Sequence, residues 1–278
     1  MSRVVVIANL TAGRGRSKRA WPSIVRQLAE VWPDVEIRET EHAGHAEYLA
    51  LHAVREGAET VVAAGGGGTI SQVATGIGRS ACVLGVLPIG TRNHLAHRIG
   101  VNRLPAAYAA LRDGAPKPID VISWCTPYEN GTCLSVASVQ FDDPATRQID
   151  TGYGQVTGIA ALVAGMLTTL PVHKPKTIEI WVDHDLLERQ VNMCVLAHPK
   201  VGDGLMNVCL LCRVNPVKFL QLPRVFMYPA VQRAKHVRIS ADQAIAFSID
   251  GERIESTDME FEIQPGALQL LMPKRPGH

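Results

Sequence analysis

Four consecutive glycines at 65–68 stand between the apolar run "TVVAAG" and the stretch "TISQVATGI", whose spacing predicts a helix. A backbone without Cβ atoms at a strand-to-helix junction can come close to a ligand. Its N–H groups can converge on an oxyanion with the helix dipole behind them. The spacing is neither G-x-x-x-x-G-K-[ST] nor G-x-G-x-x-G. Taken alone, four glycines read equally well as a tight turn that packs helix on strand.

The surroundings narrow the choice. From residue 1 to about 118, strand and helix patterns alternate: "VVVIAN", "SKRAWPSIVRQLAEVW", "VEIRET", "HAEYLALHAVREG", "TVVAAG", "TISQVATGI" and "CVLGVLP". The helical stretches "RNHLAHRIGV" and "LPAAYAALRDG" follow. Such alternation predicts an open parallel α/β sheet covered on both faces, with ligands beyond the carboxyl ends of its strands. From about 119 to 272 short strand candidates dominate, so a second, antiparallel, β-rich domain is expected, with a tail at 273–278. Three strand expectations there are "TCLSVASVQF", "HVRISA" and "IAFSIDGE"; two helical ones are "GYGQVTGIAALVAGMLTTL" and "NPVKFLQLPRVFM". The closing strand "MEFEIQPGALQLLMP" is a candidate to return to the first domain.

Charge and cysteine usage limit the partners. With 28 Lys and Arg against 26 Asp and Glu, the formal net charge is +2, which gives no footprint for nucleic acid. The N-terminus lacks a small-residue cleavage site, and the apolar stretch at 158–170 is too short to span a bilayer. A cytoplasmic chain with reduced thiols is the expectation. Cys209 and Cys212 form a C-x-x-C inside the strand-like "NVCLLCRV" and read as ordinary core cysteines.

Two further turns repeat the chemistry of the glycine run. "LPIGTRNHLA" at 87–96 brings Gly90, Thr91 and Asn93 between a strand and a helix. "NLTAGRGRSKRA" at 9–20 follows the first strand with Asn9 and the cations Arg14, Arg16, Lys18 and Arg19. Three such turns at one sheet edge would suit a polyphosphate.

In this order, "NLTAGRG", "TEHAGHAEYLA", "AAGGGGTISQVATGI", "VLPIGTRNHLAHRIGV", "PIDV", "VGDGLMNVCLL", "IDGE" and "QPGALQLLMP" resemble the diacylglycerol kinase catalytic-domain family. That family includes bacterial lipid kinases, sphingosine kinases and ceramide kinase. The resemblance implies an N-terminal nucleotide domain and a C-terminal β-sandwich with the active site between them. It implies ATP and Mg2+ as cofactors, and a lipid or lipid-like acceptor. By position, the nucleotide contacts fall on Asn9, Thr40, Gly65, Gly66, Gly67, Gly68, Thr69, Ile70, Ser71, Gly90, Thr91 and Asn93. Glu252 resembles the general base with Asp250 beside it, and Asp120 matches an acidic residue of the metal and water network. A helper magnesium falls on Asp203 with main-chain oxygens near Lys200 and Leu205.

The chain departs from the family at telling places. Gly67 and His94 stand where the motifs carry aspartate, Gln72 follows the first motif, and Gln140 replaces a glycine. Magnesium is held by a few carboxylates plus phosphates and water, so two lost carboxylates weaken that binding. Three readings stay open: a kinase using Asp120, Asp250 and Glu252, with Asp142 or Asp143 as helpers; a degenerate member that binds lipid or nucleotide without transfer; and an enzyme of altered chemistry on the same cradle.

Other segments have two readings each. His42, His45, His94 and His97 form two H-x-x-H pairs that either bind a transition metal, if they converge, or are solvated. The segment 152–171 is either a wall for an acyl chain, as the resemblance implies, or a core helix. The segment 215–235, with Lys218, Arg224, Arg233 and Lys235, is either a contact with the inner face of the membrane or a plain surface helix. A homodimer is left open.

Overall fold

The computed structural model describes residues 3–91, 93–140, 176–197, 203–212 and 231–274. Contacts divide the chain into two units: Met1–Val121 with Val201–Asp203 and Gln264–His278, and Ile122–Lys200 with Gly204–Ile263.

In the first unit, β1 (Val4–Ala8) is buried along its whole length, as a strand covered on both faces must be. It pairs in parallel with β2 (Glu36–Glu39) on one side and β3 (Thr60–Gly65) on the other, and β3 pairs with β4 (Val83–Pro88). The spatial order β2-β1-β3-β4 reverses direction at β1, so the crevice beyond β1 and β3 is the place where such sheets bind ligands. Residues 269 and 270 of the last strand, β13 (Glu252–Met272), pair in parallel with β4. The closing segment thus returns to the first unit.

The connections are α1 (Arg16–Val31), α2 (His45–Arg55), α3 (Gly67–Ile77), α4 (His94–Arg98) and α5 (Leu104–Asp113). Helix α3 begins two residues before the periodic stretch that predicts it, because two glycines are recruited into its first turn. Helices α2 and α3 pack through small residues: a Cβ on Gly76 would lie 2.3 Å from the Glu47 carbonyl and 2.7 Å from the Ala50 Cβ. That burial pushes the Glu47 carboxyl above its ordinary value.

The second unit is antiparallel. Its strands are the end of β5 (Ala115–Cys125), β6 (Asn130–Cys133), β7 (Val136–Gln140), β8 (Lys176–Val182), β9 (Asp185–Ala197), β10 (Met206–Cys212), β11 (Val231–Ala234), β12 (His236–Ile249) and the start of β13. The order β11-β10-β9-β7-β12-β13 carries β8 across β9 and β12, and β5 beside β6 and β13. Alternate residues of these strands build one core, with Phe247 and Phe261 at 6.3 Å between ring centroids.

Three expectations change. "TCLSVASVQF" is not one strand: it divides at Leu134 and Ser135, whose N–H groups turn away from the ladder to a carboxylate. "HVRISA" and "IAFSIDGE" are one strand, β12, because a register shift between Ser240 and Ile245 absorbs the polar interruption. Arg233 lies on strand β11, paired with Asn207, and not on a helix. The helical expectations at 152–170 and 215–227 lie outside the described residues. Cys209 is half-buried, with its thiol pushed up by burial, on a strand whose register shifts before Cys212. Among the described residues no helix is long and apolar enough to cross a membrane.

Gly76→Ala tests the helix contact. Alanine brings roughly 1 kcal/mol of helix propensity, but overpacking costs about 1–3 kcal/mol and the clashing atom here is backbone. The thermal unfolding midpoint is expected to fall by a few degrees; a rise would mean that the two helices do not meet at Gly76.

Candidate functional site

The loops at the carboxyl ends of β1, β3 and β4 meet one another. Ladder pairing of β3 with β4 continues to Gly65 opposite Pro88, so the two glycine turns leave the sheet side by side. The Gly65 carbonyl accepts from the N–H groups of Ile89 (3.2 Å) and Gly90 (3.1 Å). A Cβ on Gly90 would stand 2.4 Å from the Gly66 Cα, so this crossing demands glycine. The Gly90 N–H is thereby used to build the turn, and the expected N–H cluster of this loop is smaller by one.

The turn after β1 joins them. Asn9 donates from its main chain to Ala64 (2.9 Å) and from its side-chain amide to the Thr69 hydroxyl (3.1 Å). Its own side-chain oxygen accepts from the Thr11 N–H and hydroxyl. Gly13, at φ +70°, passes so close to Ile89 that a Cβ would be 2.7 Å from that carbonyl. The Ser17 hydroxyl, at the start of α1, lies 2.7 Å from the same oxygen. Thr40 follows β2 and donates its N–H to Ala8 (2.9 Å). Thr11, Gly13 and Ser17 were not singled out by sequence, although the hydroxyls flanking the small-residue turn are its visible signal.

The cradle's donors come from the main chain. The N-cap of α3 is Gly66, in extended conformation and without a side-chain cap, and a helix's first N–H groups have no intrahelical partner. Thr69, Ile70 and Ser71 are buried; the Ile70 N–H donates to the Gly66 carbonyl (3.0 Å) and its side chain enters the core, so Ile70, expected among the nucleotide contacts, offers the cradle no donor. Thr91 is exposed. Asn93 donates to the Gly90 carbonyl (3.0 Å), whereas its buried side-chain oxygen has no partner. An acceptor left this way costs about 1–3 kcal/mol until water or a ligand supplies a donor. A Cβ-free crossing and an uncapped helix start fit the phosphates of a nucleotide, while the orphaned Asn93 oxygen calls for a donor such as a hydroxyl, an amino group or water.

Residues 3–124 match the family model described as the diacylglycerol kinase catalytic domain. The similarity to that family lies in this part of the chain. The chain is 28% identical to a Pseudomonas putida protein named "Probable lipid kinase YegS-like", over 86% of this chain and 85% of the relative. It is 24% identical to the Bacillus subtilis "Diacylglycerol kinase", over 99% and 97%. A solved diacylglycerol kinase structure from Bacillus anthracis superposes with a TM-score of 0.73 at 18% identity, covering 99% of this chain and 97% of that one, and so shares the fold. The diacylglycerol kinase relationship supports a lipid kinase in general terms.

The carboxylates lie away from the helix starts at these turns. No acidic residue stands in the first turn of α1, α3 or α4, the helices that follow the three turns. His94 opens α4 in an exposed position. Asp120 is 5% exposed, and its carboxylate accepts the Gly266 N–H at 2.9 Å. In the second unit, Asp250 is 8% exposed and its carboxylate accepts three N–H groups, while Glu252 is exposed at the start of β13. Asp203 is exposed, Leu205 is half-buried, and Lys200, Asp142 and Asp143 lie outside the described residues. Among the described residues no group of three or more His, Cys, Asp or Glu could hold a metal. His42 and His45 stack on each other at 4.6 Å, and His97 meets Asn102. The main-chain donors at the start of α3 fit the phosphates.

Gly90→Ala should separate the two turns and weaken ATP binding by about tenfold or more, because overpacking of about 1–3 kcal/mol falls on the cradle itself. Titration calorimetry checks it; wild-type affinity in this variant would detach the crossing from nucleotide binding.

Proposed function

We propose that this protein is an ATP-dependent kinase that phosphorylates the hydroxyl of a lipid or lipid-like acceptor. The observation that carries the reading is the crossing of Gly66 and Gly90 beyond the ends of β3 and β4, within the stretch that matches the diacylglycerol kinase catalytic domain.

The chemistry assigned to each residue follows from its type. Main-chain N–H groups at the start of α3, with Asn9, Thr40, Thr91 and Asn93 around them, hold and orient the nucleotide, the anion lying on the positive end of the helix dipole. Glu252 takes the proton of the acceptor hydroxyl as its oxygen bonds to the terminal phosphorus. The bond from that phosphorus to the bridging oxygen breaks, and ADP carries the electron pair away. Magnesium enters this reading with the nucleotide, where it offsets phosphate charge; Asp203, with main-chain oxygens near Lys200 and Leu205, is the proposed helper position. The proposed setting is cytoplasmic, peripheral to the inner face of the membrane that supplies the acceptor.

A second reading has a specific observation in its favour. Gly67 and His94 remove two carboxylates, and Asp120 and Asp250 use theirs on main-chain N–H groups, which suits a member that binds nucleotide or lipid without transfer. Turnover separates the two. Glu252→Gln, assayed with ATP and a panel of lipid alcohols, should lower kcat by about 10²-fold or more and leave ATP affinity within about twofold. Unchanged kcat would remove Glu252 from the mechanism, and no turnover by the wild type with any acceptor would favour the second reading.

A further inference from the structure

The tip of the β12–β13 hairpin is built in an unusual way. Ile249 pairs with Glu252, so only Asp250 and Gly251 form the turn. Both have positive φ, +49° and +92°, as a type I′ turn requires. For that conformation alone asparagine is at least as suitable as aspartate, since Asn-Gly is the commonest pair in such turns. The second use of the side chain explains the acid. Oδ2 accepts the Leu134 N–H at 2.6 Å, and Oδ1 accepts those of Ser135 at 2.9 Å and Val136 at 3.0 Å. The Asp250 N–H in turn donates to the Val136 carbonyl at 2.9 Å. Three converging donors call for an acceptor-only group, and an amide would point its own N–H at one of them.

We infer that Asp250 is a positioning residue for Glu252, not a proton carrier or metal ligand: it clamps the hairpin tip to the chain between β6 and β7. This rests on the kinase reading for Glu252. The clamp explains two other features. The β6–β7 stretch breaks at Leu134 and Ser135 because their N–H groups serve the carboxylate and not a neighbouring strand. A non-glycine residue tolerates φ +49° because the contacts that hold it there are charge-assisted and sheltered from water. Glu252 is exposed and follows the turn by one residue, so its placement depends on the turn's geometry. Loosening the clamp would spread the carboxylate over many positions.

The test joins amide hydrogen exchange at residues 134–136 with steady-state kinetics on wild type, Asp250→Asn, Glu252→Gln and the double variant. Asp250→Asn should speed exchange at these amides by about tenfold or more, since an amide satisfies fewer of the three donors. It should lower kcat with little change in KM for ATP, and in the Glu252→Gln background it should lower kcat no further. A fall in kcat with wild-type exchange, or an equal fall in both backgrounds, would overturn the inference, because Asp250 would then act on its own. Should Asp250→Asn not fold, Gly251→Ala strains the turn at φ +92° and leaves both carboxylates in place. That variant should lower kcat several-fold, and wild-type kcat would count against positioning. Absence of turnover in the wild type defeats the kinase reading, while the exchange arm still decides whether the clamp exists.

Discussion

Two backbones that cross where neither residue has a Cβ set the geometry of the first unit's ligand edge. Gly66 and Gly90 can meet because β3 and β4 stay in register to their last residues, so both turns emerge at the same height. The Gly65 carbonyl ties the second turn down, Ser17 and Gly13 bring the first turn against Ile89, and Asn9 reaches Thr69. These contacts join main chain with main chain or with a short polar side chain, save Asn9–Thr69, which joins two short polar side chains. The start of α3 is thereby held open, with its donors uncapped, at the point where the strand order reverses.

The carboxylates are allotted differently from what phosphoryl transfer alone would suggest. Asp120 supports Gly266, which has φ +60°, in the segment that returns to the first unit, and Asp250 supports the β6–β7 break in the second. In both places a buried acid answers backbone donors, which is the cheapest way to bury a charge. In the proposed kinase reading, charge compensation for a polyphosphate would rest on the helix dipole at the start of α3 and the metal that comes with the nucleotide.

Much of this was legible in the sequence. Strand and helix alternation gave the parallel sheet, and the all-apolar "VVVIA" and "TVVAAG" are what doubly covered strands must look like. The ordered motifs pointed to the diacylglycerol kinase family. What stayed hidden is what depends on a distant partner. Nothing local says that "TCLSVASVQF" breaks in the middle, because the cause is a carboxylate more than a hundred residues away. Likewise the D-G pair announces a hairpin, but only the fold shows that Asp250 has three donors to satisfy. The Gly90 N–H looked available for a ligand because sequence cannot show that Gly65 claims it.

The most direct measurement is titration calorimetry of the wild-type chain with ATP, with magnesium and again with a chelator. The account predicts saturable binding at one site per chain, with affinity that survives the absence of motif carboxylates because the donors are main-chain N–H groups. No binding in either condition would contradict it and leave the crossing glycines as a packing device.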